Sequence, residues 1–157
     1  VAALEIAEVA GGIWSVRRGP RFRPAFIVKM SPGAVLIDTG SEASGASVMQ
    51  AFQKARVGLR SVRAILLTSA EPDAVAAAPT LRERCGAPVL ASAGAAEKLR
   101  PFTLDGTLLA GQIVEERFEV VAAESADALA YRFLPTGALF SGGAFLLSGD
   151  RTSSRHR

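Results

Sequence analysis

The chain is nearly without the two side chains that most often bind metals or act as nucleophiles, holding one His and one Cys in 157 residues. A lone Cys85 cannot close an internal disulfide, so nothing in the sequence calls for an oxidising compartment. Its place at the end of an amphipathic segment points to core packing. The single His156 stands one residue from the terminus, in no ligand pattern, and reads as part of a mobile tail. No apolar run approaches the roughly 18 residues that a membrane span needs. The first residues, VAALEIAEVAGG, carry acids where a signal peptide carries bases. A soluble, cytoplasmic chain with no membrane partner is therefore expected. Linkers, low-complexity blocks and solenoid periods are also missing, so residues 1–150 are expected to form a single domain, with 151–157 as a basic disordered tail.

What is present is ordinary for a globular protein, with 49% hydrophobic and 21% charged residues. The net charge is +3 and Arg far outnumbers Lys. Arg17, Arg18, Arg21 and Arg23 surround Phe22, and such a loop can touch an anion or nucleic acid. A solvated loop is the plainer reading, and so small a net charge does not single out nucleic acid as a partner.

Element signals run the length of the chain. Gly12–Val16 and Ala25–Met30 read as strands. Ser31-Pro32-Gly33 reads as a tight turn, with Pro presetting one φ and Gly accepting the left-handed one, which pairs Ala25–Met30 with Ala34–Asp38 as a hairpin. Ser41–Val57 carries Val48, Met49, Phe52 and Ala55 at helical spacing, with Ser41 or Ser44 as N-cap and Gly58 as its stop. Val62–Thr68 is apolar without alternation, as a strand buried on both faces is. Asp73–Cys85 reads as one helix closed by Gly86. Ala87–Ala91 is a strand, Ala93–Leu99 a helix ended by Pro101, and Arg117–Val121, Ala128–Leu134 and Gly137–Ser141 are later strands. The pattern predicts a layered α/β or α+β domain.

The string Leu36-Ile37-Asp38-Thr39-Gly40, followed by a helix and the strand Ala64-Ile65-Leu66-Leu67-Thr68, resembles the metallo-β-lactamase superfamily. Trp14 in the opening strand, Ala87-Pro88-Val89-Leu90-Ala91-Ser92, Phe118-Glu119-Val120-Val121 and Leu139-Phe140-Ser141-Gly142 follow in the family's order. The resemblance covers about residues 10–146 and implies an αββα sandwich, here C-terminally short. In the family's hydrolases the loop after the ILLT-like strand reads H-x-H-x-D-H and holds one or two metal ions, usually Zn²⁺, that turn water into hydroxide at neutral pH.

In this chain the corresponding loop is Ser69-Ala70-Glu71-Pro72-Asp73-Ala74. The resemblance places Ser69, Glu71 and Ala74 where the three imidazoles stand and keeps only Asp73. Glu124 falls at the next family His, and Gly143 at the bridging Asp. These residues, with Asp38 on the floor, outline a former active-site cleft with no catalytic residue and no cofactor. Asp73 is expected to cap the following helix, and Asp38 to pair with the backbone at Thr68-Ser69. The alternative is a carboxylate site of Glu71, Asp73 and Glu124, holding Mg²⁺ or Mn²⁺ more readily than Zn²⁺ and hydrolysing an ester or phosphodiester. Ser69 as a nucleophile lacks a base. Trp14 and Phe26 are expected in the sandwich core.

The chain is short at its C-terminal end compared with the family pattern, which is expected to leave an edge or apolar face uncovered near Phe140–Leu147. Such an edge invites pairing, most simply as a two-fold homodimer. The expectation is a degenerate, metal-free member of the fold that acts as a binding or structural protein.

Overall fold

The computed structural model describes residues 3–147. The tail at 151–157, His156 within it, and the last residues of the expected 1–150 domain lie outside the described residues. Strands β1 (Leu4–Ala10), β2 (Ile13–Arg18), β3 (Ala25–Lys29), β4 (Ala34–Ile37), β5 (Val62–Leu66), β6 (Val89–Ala91) and β7 (Gly106–Thr107) form one sheet in chain order. Pairing is antiparallel from β1 to β4 and parallel from β4 to β7. A second, antiparallel sheet holds β8 (Ile113–Val114), β9 (Phe118–Ala122), β10 (Leu129–Phe133), β11 (Ala138–Ser141) and β12 (Ala144–Leu146), in the order β12-β11-β10-β9-β8.

Successive side chains on a strand point to opposite faces, and β3, β4 and β5 are apolar on both. Ile27, Leu36 and Ile65 join a cluster with Val48, Ala51, Phe52 and Leu81 from the helices. Phe26, Val28, Val35, Ile37 and Leu66 face the other way and meet Phe118, Val120, Tyr131 and Phe140 of the second sheet. That double burial explains why Val62–Thr68 shows no alternation. Helix, sheet and sheet thus stack in three layers. Among the described residues no helix covers the outer face of the five-stranded sheet, and none is long and apolar enough to cross a membrane.

Phe26 lies between the sheets in ring contact with Phe140 and Phe145, at 5.1 and 5.7 Å between centroids. Trp14 does not. It packs half-buried against the helical layer, its indole nitrogen buried without a hydrogen-bond partner among the described residues. Cys85 packs in that same layer, where burial pushes its thiol up to about 11.

Besides the short strands β7, β8 and β12, which the sequence reading does not give, three elements differ from it. The N-terminal LEIAEVA is a strand, β1, with Leu4 and Ile6 turned to the helical layer and Glu5 bridging to Arg17 at 2.9 Å. Helix α1 spans Ala46–Ala55 instead of starting at Ser41. Neither serine caps it as expected: the N-cap is Gly45, Ser44 Oγ accepts only the Ala46 N–H, and Glu42 Oε1 accepts the Ser47 N–H at 3.0 Å. The Ser47 hydroxyl, then its N–H and Arg18, hold the Glu42 carboxyl below its usual range against the opposing effect of burial.

The expected helix Asp73–Cys85 is two pieces, α2 (Pro72–Val75) and α3 (Ala78–Cys85). Pro79 is the reason: inside a continuous helix it would remove a hydrogen bond and strike the preceding turn, whereas in the first turn of α3 it is harmless. Thr39 secures the break. Its N–H and hydroxyl both donate to the Ala74 carbonyl, at 2.7 and 2.9 Å, and its Oγ1 accepts the Ala77 N–H at 3.0 Å. Gly86 closes α3 in the left-handed conformation, and α4 (Ala93–Leu99) is capped by Ser92, whose Oγ accepts the Ala95 N–H.

Candidate functional site

The C-terminal ends of β4 and β5 deliver Asp38 and Thr68 to the same edge, where the two sheets meet. Asp38 sits at φ 63°, in the left-handed region that Asp tolerates better than most residues. Its Oδ1 accepts the Thr68 N–H and its Oδ2 the Thr68 hydroxyl, both at 2.7 Å. The expected pairing with the Thr68 backbone is present. Burial is the main influence on this carboxyl and pushes it up to about 7, while Thr68 and, more weakly, Arg23 pull it down.

The second sheet locks the same strand end from the other side. The Tyr131 hydroxyl donates to the Leu67 carbonyl at 2.6 Å, and the Leu129 N–H donates to the Thr68 carbonyl at 2.9 Å. Tyr131 is fully buried, and burial pushes its hydroxyl well above the usual phenol range. Sequence reasoning missed Tyr131. The one signal was its place at the centre of the apolar alternation of β10, where a phenol needs a partner.

Asp73 does not cap its helix. Glu71 holds the N-cap position of α2 with no side-chain bond, and Asp73 follows within the first turn. The Asp73 carboxylate instead reaches across to the Arg-rich loop, accepting the Arg23 backbone N–H at 2.8 Å and facing its Nε at 3.5 Å. The same guanidinium lies 3.9 Å from Glu71, and its Nη1 donates to the Gly142 carbonyl at 3.5 Å. Gly143, at φ 84°, lies under the Arg23 stem: a Cβ there would stand 2.4 Å from Arg23 Cβ. Asp73, Glu71, Arg23 and the 142–143 turn therefore form one contact group.

Ser69 and Glu124, with Arg23, Thr68, Ser141 and Gly142, contribute to the lining of an open cleft of about 660 Å³. Ser69 Oγ accepts the Glu71 N–H at 3.2 Å. Ala74 is buried, so the third family position turns a methyl into the protein. Glu124 is exposed on the loop after β9. Among the described residues no three His, Cys, Asp or Glu side chains gather closely enough to hold a metal ion. The residues present do not fit the family's zinc centre, which needs converging imidazoles. Of the four arginines offered as an anion site, Arg17 pairs with Glu5, Arg18 with Glu42 and Arg23 with Asp73, while Arg21 is exposed.

Comparison with known proteins agrees with this architecture. A metallo-beta-lactamase from Cronobacter sakazakii described by a HARLDQ motif superposes with a TM-score of 0.75 at 19% identity, over 88% of this chain and 61% of its own. The metallo-beta-lactamase GOB-18 from Elizabethkingia meningoseptica gives 0.72 at 19% identity, over 84% and 56%. A mutant of a flavo di-iron protein from Thermotoga maritima gives 0.70 at 20% identity, over 85% and 40%. The chain thus spans about three fifths or less of the length of these structures. No curated protein sequence matches it. A family model described as the metallo-beta-lactamase superfamily matches residues 18–153, and the chain belongs to that superfamily.

Proposed function

We propose that this domain keeps the metallo-β-lactamase fold without its hydrolytic metal chemistry and works as a binding or structural protein. The observation that carries the reading is the contact group at the cleft: the surviving acid, Asp73, faces Arg23. The imidazole positions hold Ser69, Glu71 and Ala74. A hydroxyl, a carboxylate directed at a guanidinium and a buried methyl cannot replace three imidazoles at a zinc ion. The rival carboxylate site has less support, because Glu71 and Asp73 already face a cation and Glu124 stands apart on its own loop.

The cleft volume lies within the range of small-molecule sites. Its lining sets Glu124 beside Arg23, whose charge is already engaged by Glu71 and Asp73, a balance that disfavours anions and suits a neutral or cationic ligand. Metal analysis of the purified protein tests the reading, with substoichiometric metal after dialysis as the expected result. One equivalent of Zn²⁺, Mn²⁺ or Mg²⁺ that survives dialysis and disappears in Glu71→Ala or Asp73→Ala refutes it.

A structural role is favoured by a separate observation. Among the described residues β12 is the last strand of its sheet, with Leu146 half-buried and Leu147 exposed beside it. An edge left unpaired by the described residues can meet the same edge of a second copy about a two-fold axis. Light scattering is expected to give twice the chain mass, and a monomer at high micromolar concentration removes this part of the proposal.

A further inference from the structure

The strongest unexplained feature of the cleft is that an arginine from a distant loop has entered it at a point where the backbone has had to be emptied. Arg23 immediately precedes Pro24 and β3, and its backbone N–H is fixed on Asp73 at 2.8 Å. From that anchor the side chain runs over Gly143, and its guanidinium ends among Asp73, Glu71 and the Gly142 carbonyl. These are three oxygen-bearing groups from two separate segments, converging on one positive charge. Carboxylates and a carbonyl are the donor types that hard cations take, and here they face the guanidinium at 3.5–3.9 Å. Asp73 is the enclosed member, with its side chain 12% exposed, so its charge has to be balanced from within the site.

Gly143 supplies the independent half of the argument. With the Arg23 stem in place, a Cβ at 143 would meet Arg23 Cβ, Cγ and Cδ at 2.4, 2.6 and 2.8 Å. Contacts so short with the near end of a side chain cannot be relieved by moving its tip. A carboxylate at 143 and an arginine stem across it are therefore mutually exclusive. The bare backbone at 143 and the Arg23 stem across it thus depend on each other.

We propose that the Arg23 guanidinium is a covalently tethered cation standing in for a metal ion, which neutralises Asp73 and Glu71 and closes the centre to divalent cations. The inference rests on the metal-free reading above and adds to it a mechanism: the cleft lacks a metal because its acids already hold a charge that cannot dissociate. Arg23 is accordingly a positioning residue for the 69–74 loop, not an anion-binding group.

The test compares the wild-type chain with Arg23→Gln, which keeps most of the stem and drops the charge, and with Arg23→Lys, which keeps the charge. Mn²⁺ binding is read by isothermal titration calorimetry, with folding checked by circular dichroism. Removing a unit charge about 4 Å from the acids is worth roughly fivefold in cation affinity at the dielectric of water, and more in a partly enclosed site. Arg23→Gln is therefore expected to bind Mn²⁺ at least about fivefold more tightly than wild type. Arg23→Lys is expected to match wild type, and Arg23→Gln with Asp73→Asn to lose the gain.

Equal binding by wild type and folded Arg23→Gln overturns the inference while leaving the metal-free reading intact. Tight stoichiometric metal in the wild type overturns that reading instead. Should Arg23→Gln fail to fold, nitrogen-15 NMR of the arginine side chains decides the matter on the wild-type chain. The Arg23 Nε resonance is expected to move on Asp73→Asn while that of Arg21 stays in place. An Arg23 Nε resonance left unmoved by Asp73→Asn overturns the inference.

Discussion

Replacing Asp38 by Asn should make the protein more stable at neutral pH and leave it unchanged in acid. Asp38 is 3% exposed, and burial pushes its carboxyl up from 3.8 to about 7. Below pH 3.8 the carboxyl is neutral in both the folded and the unfolded chain. Between about 3.8 and 7 the folded chain keeps a proton that the unfolded chain has released, so this group's contribution to stability falls as pH rises through that window. Above 7 both forms are ionised and the loss is constant. A separation of about three pH units corresponds to about 4 kcal/mol, an upper bound where the cleft lets some water relax the charge.

Asn keeps an acceptor for the Thr68 N–H, offers its amide to the Thr68 hydroxyl, tolerates the left-handed φ of 63°, and never ionises. The difference between variant and wild type should therefore be close to zero near pH 3. It should rise through pH 5 and level off above pH 7 at up to about 4 kcal/mol in favour of the Asp38→Asn variant. Urea unfolding followed by the single Trp14 at a series of pH values measures it, since other titrating groups cancel in the difference. A difference that does not change with pH, or an Asp38→Asn protein less stable than wild type at pH 8, would refute the reasoning.

Tyr131→Phe removes the hydroxyl that joins the sheets at the Leu67 carbonyl, leaving a buried acceptor short of a partner; a loss of about 1–3 kcal/mol is expected, with little change in the urea slope. Thr39→Val preserves shape but deletes both the donor to Ala74 and the acceptor for the Ala77 N–H, and should cost a similar 1–3 kcal/mol, roughly. Because Thr39 holds the break between α2 and α3, amide exchange at Ala77 should accelerate in that variant, and an unchanged rate would show the break to be held by Pro79 alone.

The centre of the fold was legible because its signals are local. Apolar residues without alternation in Val62–Thr68 mean burial on both faces, and β5 is covered by helices on one side and by the second sheet on the other. The pairing of Asp38 with Thr68 followed from the resemblance, which places Asp38 on the floor of the site beside the loop after the ILLT-like strand. The division of residues 73–85 at Pro79 was also written in the chain, yet apolar periodicity outweighed the proline when the segment was read.

The partner of Asp73 was not local. A capping role is the ordinary expectation for an acid at a helix start, and only the approach of a loop 50 positions away redirected it to Arg23. A clue existed at Gly143, where the resemblance expects an acid and the sequence has the one residue that leaves room for another chain segment. Trp14 was misplaced for a related reason, since alternation in a strand states that two faces differ but not which of two apolar layers each one meets.

The bonds that hold the 69–74 loop have a consequence for how its chemistry can change. Asp38 grips Thr68, Tyr131 and Leu129 grip the carbonyls of Leu67 and Thr68, and Thr39 grips the Ala74 carbonyl. None of these uses the side chain of residue 69, 71 or 74, so the two ends of the loop are mounted through backbone groups, while Ser69 Oγ adds only a bond within the loop, to the Glu71 N–H. The opposite wall is mounted differently, because the Arg23 stem and the bare backbone of Gly143 are wedged together. Any side chain at 143 would have to displace the Arg23 stem, with a Cβ only 2.4 Å from Arg23 Cβ. The two walls of the site therefore differ in kind, one mounted through its backbone and the other fixed by side-chain packing.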